Sequence, residues 1–106
     1  MKDLKIRAAT PNDIKDLASL RGGGERLEKT MLAYLQGDYF PSHAMNLRLV
    51  LVGTLDGEFA GYTAGHETDR FGCQGELQWL NVKPEFQRQG VGRELVTTLL
   101  TWFIEQ

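Results

Sequence analysis

An α+β (mixed α/β) fold is what this 106-residue chain predicts, and three patterns predict it. Short alternating apolar runs read as strands, while apolar residues recurring every three or four positions read as helices. An Asp-Gly pair between two of the strands is a hairpin signal, which makes them antiparallel neighbours. The resulting order is strand, helix, helix, three strands, helix, or β-α-α-β-β-β-α.

The first strand comes from Leu4, Ile6 and Ala8, which alternate with Lys5 and Arg7. Thr10 followed by Pro11 starts a helix, as a capping hydroxyl with proline at the first helical position. Ile14, Leu17, Ala18 and Leu20 continue it until Gly22-Gly23-Gly24, which reads as a flexible linker. A second helix spans about Glu25 to Gln36, with Leu27, Met31, Tyr34 and Leu35 on its apolar face. The stretch from Gly37 to Asn46 is a loop. Leu47, Leu49 and Leu51, joined by Val50 and Val52, form the second strand, and Asp56-Gly57 turns it back into the third, Phe59 to His66. After a loop from Glu67 to Gly75 comes the fourth strand, Glu76 to Val82. The last helix, Gly90 to about Glu105, repeats Val91, Leu95, Leu99 and Phe103 every fourth residue.

Composition narrows the possible functions. The balance of 42% hydrophobic and 25% charged residues is that of a soluble globular protein. No stretch approaches the roughly 20 apolar residues of a membrane span, and the N-terminus lacks an apolar signal core, so the expected compartment is the cytoplasm. A net charge of −2 argues against a nucleic-acid surface. One cysteine, Cys73, excludes an intrachain disulfide and a Cys-based metal site. No second domain, repeat or low-complexity tract is visible, so residues 1–106 are expected to be one domain.

The chemistry-bearing stretch runs from Leu80 to Arg93. A strand ends at Pro84, a short turn follows, and a helix opens at Gly90. Successive backbone N–H groups at a helix N-terminus favour a bound anion. Gly90 and Gly92 allow close approach to the backbone, and Gln87, Arg88 and Arg93 add donors and positive charge. The expected ligand is a phosphate or pyrophosphate. The turn lacks the Gly-Lys-Ser/Thr of a Walker loop and the third glycine of a dinucleotide fingerprint.

This stretch closely resembles the acetyl-CoA signature of the GNAT superfamily, Val-x-Pro-x-x-Gln/Arg-x-x-Gly-x-Gly/Ala, with Val82, Pro84, Gln87, Gly90 and Gly92 in register. Glu76-Leu77-Gln78-Trp79-Leu80 also looks like the family's fourth strand, and the element order matches over nearly the whole chain. The resemblance implies an acetyl-CoA-dependent N-acetyltransferase acting on a primary amine of a small molecule or peptide. It implies that Leu80, Asn81 and Val82 border the pantetheine arm, through backbone groups of Leu80 and Val82. It implies further that the amides from Gln87 or Arg88 through Gln89, Gly90, Val91 and Gly92 to Arg93 hold the pyrophosphate. Glu76 stands where many members carry a general base, and the Leu80 N–H is the expected oxyanion donor.

Members of the family usually run to roughly 140 residues or more, an ordinary single-domain size. They continue past this helix with another strand, a helix and a closing strand pair. The resemblance therefore implies a domain truncated after the pyrophosphate-binding helix, with no position for the general acid. Its fourth strand would be an open edge, which a second copy could cover as a homodimer. The alternatives are a CoA-binding module without turnover and a remnant that folds only as a dimer.

Other residues carry less. His43 sits in a polar loop and His66 at a strand end, without an acidic partner at recognisable spacing, so both are expected to be structural. Cys73 has no neighbour that would activate it. Trp79, Trp102 and Phe103 are expected core aromatics.

Overall fold

The structure, a computed structural model, describes residues 3–36, 47–67 and 75–105. The expected loop 37–46, with His43, and most of the loop before the fourth strand, with Cys73, lie outside the described residues. Strand β1 (Leu4–Ala8) leads through a 3-10 turn (Pro11–Asp13) into α1 (Ile14–Ser19), and α2 follows at Glu25–Gln36. Strands β2 (Arg48–Leu55), β3 (Glu58–Glu67) and β4 (Gly75–Val82) come next, then a second 3-10 turn (Pro84–Phe86) and α3 (Val91–Glu105). The predicted order holds, and the fold is the expected mixed α/β one.

The strands form one antiparallel sheet in the order β1-β2-β3-β4. Asp56 and Gly57, with φ of 52° and 85°, make the two-residue turn whose left-handed backbone matches the strand twist. Alternation divides the apolar residues between the two faces of the sheet. Val50, Val52, Tyr62 and Ala64 pack with Ile14, Leu17, Met31 and Tyr34 beneath α1 and α2. Leu51, Leu55 and Ala60 pack with Val91, Leu95 and Leu99 of α3 on the other face.

Two register shifts break the ladders. One lies between Gly53 and Thr54, leaving Ala60 as an extra residue in β3. In the second, Ala64 pairs with Trp79 but Gly65 pairs with Leu77, leaving Gln78 as an extra residue in β4. Such bulges bend a strand and re-aim its side chains.

The Gly22–Gly24 segment departs from the flexible-linker expectation. All three glycines have positive φ, of 103°, 73° and 102°, and the Gly23 N–H donates to the Ala18 carbonyl at 2.9 Å. Left-handed residues that collect the last carbonyls end a helix in a defined way. The segment is a fixed C-cap for α1, and the Gly24 carbonyl accepts the first bond of α2, from Glu28 at 3.0 Å.

Candidate functional site

The turn between β4 and α3 has the shape that an anion site needs. The Gln87 N–H is taken up by the Pro84 carbonyl at 3.3 Å, which removes it from the run of amides expected to meet a ligand. Arg88 and Gly90 both have left-handed φ, of 64° and 87°. A non-glycine residue in that region stores about 1–3 kcal/mol of strain, which is characteristic of ligand clamps. The alternation of handedness curls successive N–H groups into a concave nest. Gly90 also accepts the first α3 bond, from the Glu94 N–H at 3.0 Å, so the nest continues into the open amides of the helix.

A cleft of about 280 Å³ lies over this turn, lined by Val82, Phe86, Gln87, Arg88, Gly90, Gly92 and Arg93. It brings together most of the residues expected around the pyrophosphate, Arg88 and Arg93 among them. A Cβ on Gly90 would meet nothing within 4 Å, and one on Gly92 would touch only the Val82 side chain, at 3.5 Å. The space above Gly90 is open and Gly92 leaves only ordinary contact with Val82, so the turn has room for an anionic group. A larger cavity, about 470 Å³, lies between α1 and α2 beside Ile14, Lys15, Glu28, Lys29 and Leu32, and it contains none of the expected site residues.

Strand β4 leads away from this cleft. The Lys83 N–H donates to the Ala60 carbonyl at 2.8 Å, and the Trp79 carbonyl accepts the Thr63 hydroxyl at 2.8 Å. Both sets of groups therefore face β3. Because backbone groups alternate along a strand, those of Leu80 and Val82 face the opposite, outer edge. The Asn81 backbone faces β3, and its side-chain oxygen accepts the Tyr62 hydroxyl at 2.9 Å. The Val82 carbonyl receives the Gln87 side-chain amide at 3.3 Å, which ties the turn to the strand end.

Glu76 stands at the far end of β4, roughly 20 Å from Val82 at about 3.4 Å per residue. Its carboxylate is bonded, at 3.0 Å, to Nε2 of His66, whose other ring nitrogen lies 2.9 Å from the Tyr34 hydroxyl. The expectation that His66 lacks an acidic partner is thus overturned. His66 and Glu76 are direct cross-strand partners, so the two side chains lie on one face of the sheet. Arg48, opposite His66 on β2, donates from Nε to the Tyr34 carbonyl at 2.6 Å.

Trp79 lies on the same face, its ring centroid 4.9 Å from that of Tyr34, with the Arg21 guanidinium carbon 5.0 Å from the Trp79 ring centroid. It is a core aromatic, as expected. Tyr62 is buried beside it, and that burial pushes its hydroxyl up to about 12, a rise the nearby Arg21 partly offsets. Among the described residues no group of three or more His, Cys, Asp or Glu side chains could hold a metal ion. No helix among them is long and apolar enough to cross a membrane.

The model of the acetyltransferase (GNAT) family matches residues 13–106. The fold is similar to that of Ard1 from Thermoplasma volcanium, with TM-score 0.72 and 20% identity over 96% of this chain and 64% of that one. It is similar to an aminoglycoside 6'-N-acetyltransferase from Acinetobacter haemolyticus, with TM-score 0.75 and 20% identity over 95% of this chain and 72% of that one. A GNAT family acetyltransferase from Brucella melitensis, solved in complex with acetyl-CoA, has TM-score 0.64 and 23% identity over 97% and 70% of the two chains. The chain thus spans 64% of the length of the Thermoplasma protein. A search of curated protein sequences finds no match.

Proposed function

The chain belongs to the acetyltransferase (GNAT) family, and from that premise we propose that it transfers an acetyl group from acetyl-CoA to a primary amine of a small molecule or peptide. What supports this reading is a concave turn bordered by Arg88 and Arg93 at one end of β4 and the Glu76 carboxylate at the other. An extended ligand with a pyrophosphate at one end and a reacting group toward the other suits that layout. The related Brucella protein was solved with acetyl-CoA, which supports the choice of donor.

In this reading the N–H groups from Arg88 through Arg93 hold the pyrophosphate, with the Arg88 and Arg93 side chains adding charge. The outward backbone groups of Leu80 and Val82 hydrogen-bond the pantetheine arm as a neighbouring strand would. Asn81, whose backbone faces β3, borders the arm without supplying a backbone bond. Bound acetyl-CoA supplies an acetyl group activated as a thioester. Glu76 takes a proton from the substrate ammonium onto its carboxylate, which leaves a neutral amine able to attack. The Leu80 N–H is the donor for the acetyl oxygen as negative charge grows on it; the C–S bond would then break, and the nitrogen would lose its extra proton to solvent as the departing thiolate takes one up.

The test is thiol release from acetyl-CoA by the pure protein in the presence of a panel of primary amines. The proposal predicts amine-dependent release in the wild type and a loss of about 10²-fold or more in kcat for Glu76→Gln, the usual contribution of a general base. Binding of acetyl-CoA with no release on any amine would instead identify a CoA-binding module.

A further inference from the structure

His66 has no solvent exposure, and a buried imidazole must satisfy both ring nitrogens within the protein. Nε2 lies 3.0 Å from Oε2 of Glu76 and Nδ1 lies 2.9 Å from the Tyr34 hydroxyl. An ionised carboxylate only accepts, so Nε2 carries the hydrogen in this pair. A neutral ring then presents Nδ1 as an acceptor, and the Tyr34 hydroxyl donates to it. The result is a one-way chain, Tyr34 O–H to His66 to Glu76, assembled from α2, β3 and β4. Its first member is itself fixed: Tyr34 is fully buried, packs against Trp79, and has its carbonyl bonded by Arg48.

From this geometry we infer that Tyr34 and His66 are positioning residues for Glu76, an inference that rests on the proposed role of Glu76 as the base. The ring holds Oε2 and so fixes the carboxylate's orientation at the end of β4. Tyr34 selects the ring tautomer that makes this possible. Neither residue is placed to touch substrate, since both are fully buried, whereas the Glu76 side chain is 30% exposed.

The test compares wild type, His66→Ala, His66→Gln and Tyr34→Phe in the 106-residue chain. It reads acetyl-CoA affinity, thiol release with primary amines, and the His66 tautomer by ring-nitrogen NMR. Expected are unchanged acetyl-CoA affinity throughout and a kcat lowered about tenfold to a hundredfold in His66→Ala, with the KM for the amine held within about threefold. His66→Gln should recover most of that loss, because its side-chain N–H can still donate to Glu76. Tyr34→Phe keeps the ring volume and removes only the donor, so its loss of kcat tests the chain even where His66→Ala does not fold. The wild-type ring should be the Nε2–H tautomer. Equal losses in His66→Ala and His66→Gln, a change confined to KM, or an Nδ1–H ring in an active enzyme would overturn the positioning role alone. A wild type that binds acetyl-CoA but acetylates no amine would overturn the acetyltransferase reading, and the positioning role with it.

Discussion

Asp13 illustrates how much one side chain can fix. Its carboxylate accepts both N–H arms of the Arg7 guanidinium at 2.8 Å and the Thr10 backbone N–H, also at 2.8 Å. It therefore ties β1 to the start of α1. The Arg7 hydrogen bond foremost holds the Asp13 carboxyl below its ordinary value, against the opposing effect of burial. A carboxyl lowered in the folded state contributes stability that is present above its unfolded value and lost as pH falls through the folded one. Asp13→Ala should cost about 1–2 kcal/mol in urea unfolding at pH 7 and flatten the loss of stability below about pH 4. Tyr62 acts at the other end of the scale. With its hydroxyl raised to about 12, the folded state holds the proton that the unfolded chain releases near 10. Stability should therefore fall as pH rises from about 10 to about 12, and Tyr62→Phe should lessen that fall in alkaline unfolding curves. Gly92 separates stability from binding. Its Cβ position meets only ordinary contact, so Gly92→Ala should stabilise α3 by up to about 1 kcal/mol while the new methyl narrows the cleft and weakens acetyl-CoA binding. At this scale the turn between β4 and α3 was legible, because glycine spacing and a strand-to-helix turn are local features of sequence. The His66–Glu76 pair was not, because it depends on cross-strand register across a loop and on a bulge at Gln78 that no local pattern marks.

Among the elements, α3 does two jobs with one apolar stripe. Val91, Leu95 and Leu99 are almost wholly buried against β2 and β3, and that packing presents the amides of the first turn at the end of β4. Leu95→Ala should cost about 2–5 kcal/mol by the usual price of a core cavity, measured by thermal or urea unfolding. It should weaken acetyl-CoA binding as well, because the helix start loses its seat. The β3–β4 ladder is equally demanding. A Cβ at Gly61 would lie 2.7 Å from the Asn81 carbonyl oxygen and 3.1 Å from the Val82 Cα, both backbone atoms of the strand that borders the proposed ligand. Helix boundaries and the Asp56-Gly57 turn followed from periodicity and turn chemistry. The fixed form of Gly22–Gly24 did not, since three glycines permit many backbone paths and the bonds to the Ala18 and Ser19 carbonyls and from Glu28 select this one.

For the whole molecule, the arrangement is a four-stranded antiparallel sheet covered by α1 and α2 on one face and α3 on the other. The faces divide the proposed labour. The α3 side supplies the anion nest, the opposite side carries Tyr34, His66 and Glu76, and β4 runs between them. The order of elements was legible because each leaves its own period in the sequence. The pairing of the two faces along β4 emerged only from the register. The central claim, that the Arg88–Arg93 turn is a pyrophosphate site serving an acetyl donor, is tested most directly by calorimetric titration of the 106-residue chain with acetyl-CoA, beside Gly92→Glu. That substitution places a carboxylate in the cleft at a position whose backbone is helical rather than left-handed. Micromolar binding by the wild type and none by the folded variant is the expected result. A folded wild type that gives no heat, or a variant that binds equally well, would contradict it.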